Sequence, residues 1–220
     1  MPTTNTRESE AVSLRSELRL RNSFMFPLQS RAARREVLWG AALLVLLPGV
    51  GWVLNMGHRI QMVHHMLAGR DCWPAWVNYP RLLRHGLVTL GGMIFYYLPG
   101  LACLYAGLRL GSAALVALAA ALLAAATVAI PGYMTNYCVS FDPAEIYNPL
   151  RALRRCLEAG ASYWRAWLIA LCALALSFAG LLALGVGFLV TSVWFWQVAG
   201  FSFATAFSQR HRLRSPGPAE

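Results

Sequence analysis

Residues 37–57 read VLWGAALLVLLPGVGWVLNMG. The stretch is long enough to cross a bilayer, for which ~20 apolar residues suffice. Pro48 and Gly49 interrupt its middle, and Gly51 follows. Proline removes a backbone donor and glycine favours a turn. The stretch therefore reads either as one span or as two half-helices that enter and leave on the same side. The choice fixes the side on which every later segment lies.

The rest of the chain supplies the means to choose. Gly86 to Leu108 and Ser112 to Met134 carry no charge, and residues 166–207 add 42 uncharged residues with a turn signal at Gly185-Val186-Gly187. Spans are predicted at 86–108, 112–134, 166–184 and 188–207. Of the 220 residues 58% are hydrophobic and 13% charged, whereas a soluble domain carries about 25% charged residues. The class is all-α: a polytopic helical membrane protein.

All 19 basic residues are arginine. Arginine collects on the cytoplasmic side of short membrane loops. If residues 37–57 cross once, eight arginines lie inside and eleven outside; if they return, eighteen lie inside and one outside. The second arrangement is expected: a broken re-entrant hairpin and four spans, with both termini cytoplasmic, in the cell (inner, cytoplasmic) membrane. Lipid cannot satisfy the free backbone groups of such a bend, so the hairpin is expected to be covered by protein there. A net charge of +10 raises nucleic acid as a partner, but the arginines border apolar runs. Anionic lipids are the expected partners, with another membrane protein or a second copy of the chain, and no nucleic acid.

The flanks complete the division. Residues 1–22 are polar and expected to be disordered, as is the tail at 209–220; the membrane domain is 23–208. Two cytoplasmic interfacial helices are predicted, at 73–84 and 142–158. The first forms an elbow in which Trp73, Trp76 and Tyr79 sit at headgroup depth, Arg70, Arg81 and Arg84 face lipid phosphates, and Pro74 turns the chain. The second starts at Asp142-Pro143-Ala144-Glu145, which reads as a capping box. Tyr79-Pro80-Arg81-Leu82-Leu83-Arg84 echoes Asn148-Pro149-Leu150-Arg151-Ala152-Leu153-Arg154, so the chain reads as two similar units of a basic segment and two spans. Trp194 and Trp196 are expected near the outer interface.

Small residues recur every four positions on two spans: Ala113, Ala117, Ala121, Ala125 and Ala129, then Ala175, Ala179, Ala183 and Gly187. Such stripes let helices approach closely. No charged residue lies inside the four spans, which argues against ion-coupled transport and proton relays. No hydrolytic triad, phosphate loop or H-E-x-x-H motif occurs, so no enzyme is expected. The five cysteines, odd in number and without C-x-x-C spacing, predict neither a disulfide framework nor a zinc site. His58, His64, His65 and His85, with Asp71 and Cys72, crowd one region and could bind a metal; an amphipathic, membrane-facing helix over Gly57–Leu67 explains them more simply. No cofactor is expected.

Leu47-Pro48-Gly49-Val50-Gly51, a helix ending at Gly69, Trp73-Pro74-Ala75-Trp76, and Gly86-Leu87 opening a span together resemble the membrane family catalogued as domain of unknown function 4013. Asn148-Pro149 onward to Tyr163 and Trp164 fits the same pattern, and the resemblance covers roughly residues 30–208. It implies a bacterial or archaeal integral membrane protein with no assigned reaction. Two functions are expected: a non-enzymatic scaffold or accessory subunit of a membrane complex, or a transport or lipid-handling protein with a cavity beside the Pro48-Gly49 break lined by Tyr96, Tyr97 and Gln197. A filled bundle favours the first and an open polar cavity the second.

Overall fold

The computed structural model describes residues 12–14, 16–182 and 185–211. Seven α-helices occur among them and no strand. They are α1 Leu20–Met25, α2 Arg31–Leu46, α3 Val50–Leu67, α4 Tyr79–Leu110, α5 Ala113–Ser140, α6 Pro149–Ala179 and α7 Val186–His211. Four are long and apolar enough to cross a membrane: α4, α5, α6 with the short 3-10 turn that prolongs it to Leu182, and α7 as far as Ser208. The protein is an all-α membrane protein.

Local signals set the helix boundaries. Ser30, Asn78, Ser112 and Asn148 each accept a bond from the backbone N–H three residues on, capping α2, α4, α5 and α6. Side-chain caps of this kind satisfy donors left open at a helix start. The echo between the two basic segments is such a signal, an Asn cap followed by proline in the first turn. Asp142 caps only a 3-10 turn at Pro143–Glu145. Glu145 closes no capping box; its carboxylate pairs with Arg151 and Arg155, both at 2.9 Å.

Two helix pairs frame the bundle. Gly111, at φ 63°, joins α4 to α5, and Gly185, at φ 77°, precedes α7. Residues 73–78 form no helix and 79–84 are the first turns of α4, so the expected first interfacial helix is not a separate element. The second is the proximal arm of α6, which bends at Gly160 (φ 58°, ψ −137°) before entering its apolar stretch. The N-terminal segment, expected to be disordered to residue 22, is docked from Val12 onward. Val12 N–H donates to Gln29 Oε1 at 2.8 Å, Leu18 is buried, and α1 follows. Residues 1–11 and 212–220, in the two expected tails, lie outside the described residues.

The stretch at 37–57 forms a bent helical pair, and its second arm runs on to Leu67. Arm α3 lies antiparallel to α4 at very close range: a Cβ on Gly57 would stand 1.8 Å from the Leu82 carbonyl oxygen, and one on Gly86 2.0 Å from that of Val53. This register places the bend near the level of Leu90, so the hairpin occupies the half of the bundle at the N-terminal end of α4. From Val53 to Val63 every residue of α3 is buried, between α4, α5 and α7. The bend itself, expected under protein, is uncovered: residues 45–50 are all exposed. Leu47 N–H bonds to Leu43 O and Gly51 N–H to Leu47 O, and Pro48 has no N–H to satisfy.

The small-residue stripes also lie elsewhere than expected. Ala113, Ala117, Ala121 and Ala125 are exposed, as are Ala175 and Ala179; Ala129 is buried and Gly187 half-buried. Ala183 lies outside the described residues. The close-packed seam of α6 is instead Ala152, Cys156, Ala159, Tyr163, Ala166, Ala170, Ala173 and Ser177, all buried. Its alternating spacing of four and three is the heptad pattern of paired helices, and its distal part packs against α7.

Candidate functional site

The polar groups of the molecule concentrate where α3 meets its neighbours. At the root of the hairpin, Glu36 of α2 is 7% exposed and His58 of α3 is 1% exposed. Glu36 Oε2 lies 2.8 Å from His58 Nε2 and accepts the Ala75 N–H at 3.1 Å. The Glu36 carbonyl accepts from Trp76 Nε1, and the His58 ring stacks on Trp76 with centroids 4.2 Å apart. Trp39 Nε1–H donates to the Tyr79 hydroxyl at 2.8 Å. Trp73 packs on Phe26 at 5.6 Å. The aromatic residues expected at headgroup depth therefore tie the segment 73–78 to the hairpin and to Phe26 just before it. Arg70, Pro74, Arg81 and Arg84 of the same elbow are exposed.

The residue after His58 on α3, Arg59, points into the bundle. Its guanidinium is buried, with Nη2 3.1 Å from Met134 Sδ and its carbon 4.6 Å from the Trp196 ring centroid. Among the described residues no carboxylate pairs with it. Trp196 thus serves Arg59, and Trp194 donates to the Phe24 carbonyl; both tryptophans work inward rather than as an outer belt. The expectation of a membrane-facing amphipathic helix over Gly57–Leu67 is overturned, since its polar face is enclosed.

The histidines disperse. His58 pairs with Glu36, His64 Nδ1 lies 2.8 Å from the Cys138 carbonyl, His65 meets Gln61, and His85 Nδ1 lies 2.7 Å from the Tyr137 hydroxyl. Among the described residues no three His, Cys, Asp or Glu side chains gather as a metal site would need. Cys72, half-buried beside the elbow, has its thiol pushed up to about 11 by burial, with the neighbouring Asp71 charge adding to the shift. Burial raises the Glu145 carboxyl, but Arg155 and Arg151 outweigh it and hold the group below the usual carboxylate range.

Tyr96, Tyr97 and Gln197 do not meet. The Tyr96 hydroxyl donates to the Ile146 carbonyl, that of Tyr97 lies 3.0 Å from Thr127 Oγ1, and Gln197 is enclosed on α7 with neither amide atom bonded. A cavity exists elsewhere. It measures about 290 Å³ and lies between the first turns of α4 and the end of α5, with Arg81, Arg84, His85 and Tyr137 on its wall.

Glu36 and Arg59 are the residues that sequence reasoning missed. In the sequence Glu36 closes residues 23–36, a run that mixes apolar and basic residues, and Arg59 falls in the amphipathic helix expected over 57–67. The available signal was the glycine pair Gly57 and Gly86, which marks a helix buried by close contact. No family model, no curated protein and no solved structure matches the chain.

Proposed function

We propose that the protein is a non-enzymatic scaffold or accessory subunit of a membrane complex, related to domain of unknown function 4013. Both termini face the cytoplasm in this reading, which the arginine distribution favours. One observation carries it: most of the polar side chains of the hairpin are spent on the chain's own groups. Glu36 serves His58 and Ala75, Asn55 Nδ2 donates to the Gly40 and Gly51 carbonyls, and His64 engages Cys138. What the molecule offers outward is an apolar helix surface that includes Ala113, Ala117, Ala121 and Ala125. Small residues on an uncovered helix suit close approach by another helix.

The test is extraction into native lipid discs followed by mass spectrometry. The expected result is one membrane protein retained at fixed stoichiometry, or a dimer of this chain, and its loss on Ala117→Leu with Ala121→Leu. A chain that is monomeric and alone in native discs overturns the proposal. For orientation, a cysteine at exposed Val77 should react only with membrane-permeant reagents in intact cells; labelling by an impermeant reagent reverses the assignment.

A further inference from the structure

We propose that the cavity between α4 and α5 binds the phosphate group of an anionic phospholipid. Four observations meet there. The first is the cavity of about 290 Å³, large enough for a phosphodiester headgroup and open beside exposed Arg81 and Arg84. The second is charge: among the described residues neither arginine has a carboxylate partner. The nearby Glu145 is occupied by Arg151 and Arg155. Two unpaired guanidinium groups on one wall suit a phosphate, whose oxygens take charge-assisted bonds from their donor forks.

The third observation is the order of donors. Arg81 Nε–H donates to His85 Nε2 at 3.4 Å. A nitrogen that accepts this bond carries no proton, so in the neutral ring the proton sits on Nδ1. Nδ1–H then donates to the Tyr137 oxygen at 2.7 Å, which leaves the Tyr137 hydroxyl proton free. Arg81, Arg84 and Tyr137 all present donors to the cavity, which selects for an anion.

The fourth is the setting. Phe141 closes α5 in the left-handed region at φ 55°, a conformation uncommon for a bulky side chain. Its ring stacks on His85 with centroids 4.3 Å apart and carries the Arg81 guanidinium carbon 5.2 Å from its centroid, so the wall is built rather than incidental. Val88 lines the cavity one turn deeper. The same face of α4 continues at Gly91 and half-exposed Phe95 into a stretch without charge. Tyr147 packs on this face, its ring 5.3 Å from that of Phe95, and a largely apolar wall below the donors suits the acyl chains of a lipid.

The experiment is native mass spectrometry of the full chain in detergent, titrated with dioleoyl phosphatidylglycerol, with dioleoyl phosphatidylcholine and with inorganic phosphate. Retention of phosphatidylglycerol is expected, with binding about tenfold weaker in Arg81→Gln/Arg84→Gln, the loss anticipated when charge-assisted bonds go. Arg154→Gln, outside the cavity and paired with Glu158, should bind as wild type does. Tyr137→Phe removes only the hydroxyl and should weaken binding several-fold; it carries the test if the double variant does not fold. Equal retention of the two lipids, or undiminished binding by the folded variants, overturns the site. Inorganic phosphate binding as tight as phosphatidylglycerol overturns the lipid assignment.

Discussion

The α2–α3 hairpin and the α6–α7 pair bury their helices by different means. The α6–α7 seam is mainly alanine, tyrosine and aromatic packing at heptad spacing, with one polar tie near its end, where Thr191 Oγ1 donates to the Ser177 carbonyl at 3.0 Å. The hairpin instead brings backbone against backbone at Gly57 and Gly86 and fixes the contact with buried polar bonds. Inside a bilayer lipid tails are as apolar as leucine, so burying apolar area does not choose a neighbour. Close fit and hydrogen bonding do. The pair that reads as most hydrophobic is therefore held by shape, and the segment that reads as polar is held most specifically.

The contrast breaks most readily at the glycines. Gly57→Ala and Gly86→Ala each drive a Cβ into a carbonyl oxygen of the facing helix, at 1.8 and 2.0 Å, and neither backbone can yield without parting α3 from α4. Overpacking usually costs about 1–3 kcal/mol and more where backbone must shift; these variants should fall at or above that range. Thermal unfolding in detergent, followed by size-exclusion, should show loss of the native species. Gly200→Ala should be mild, because its nearest contacts are the flexible stems of Arg59 and Met62 at 3.2 and 3.3 Å. Equal midpoints for Gly57→Ala and wild type would mean the α3–α4 contact is not fixed.

Next comes the polar lock. Glu36→Ala strands two buried donors, on His58 Nε2 and the Ala75 N–H, and a buried donor left without a partner costs roughly 1–3 kcal/mol. Glu36→Gln keeps an oxygen acceptor and should lose less. If both variants unfold at one temperature, the negative charge rather than the acceptor holds the hairpin. The seam of α6 should respond less. Ala166→Leu enters a fully buried position and should cost about 1–3 kcal/mol, while Ala179→Leu on the exposed face should stay within about 0.5 kcal/mol. The reverse order would make the period-four stripe, not the heptad seam, the packed face.

The same contrast explains what the sequence disclosed. Uncharged runs located all four long helices, because exclusion of charge from lipid is a local property. Pro48-Gly49 located the bend for the same reason. The heptad on α6 was present in the sequence, but alanines at every fourth position hide it, and composition does not say which face is inward. Glu36, His58 and Ala75 could not be joined in advance, because their partners stand 22 and 39 residues away. A helix bearing His, Arg and Gln looks amphipathic until its enclosing neighbours are known. Of the cavity's lining, Arg81 and Arg84 stood out in the sequence as members of the elbow; Tyr137 and Phe141, brought by the far end of α5, did not.

The smallest effect sharpens the comparison at its edge. The segment 73–78 belongs to the hairpin only if the clamp of Trp73, Trp76 and Tyr79 holds, and Cys72 reports on it. Burial pushes its thiol up to about 11, and only the thiolate is nucleophilic. At pH 8 a group at 11 is ionised about a hundredfold less than an ordinary thiol near 9. Iodoacetamide labelling of the folded protein, resolved by peptide mapping, should therefore be slow at Cys72 and rise with pH toward 11. Asp71→Asn should speed it only slightly, since burial rather than the neighbouring charge leads the shift. Trp76→Ala removes the stacking partner of His58 and the donor to the Glu36 carbonyl, so it should release the segment and return Cys72 toward ordinary reactivity. If Cys72 reacts as an exposed thiol in the intact protein, the elbow is free of the hairpin, and the lock rests on Glu36 and His58 alone.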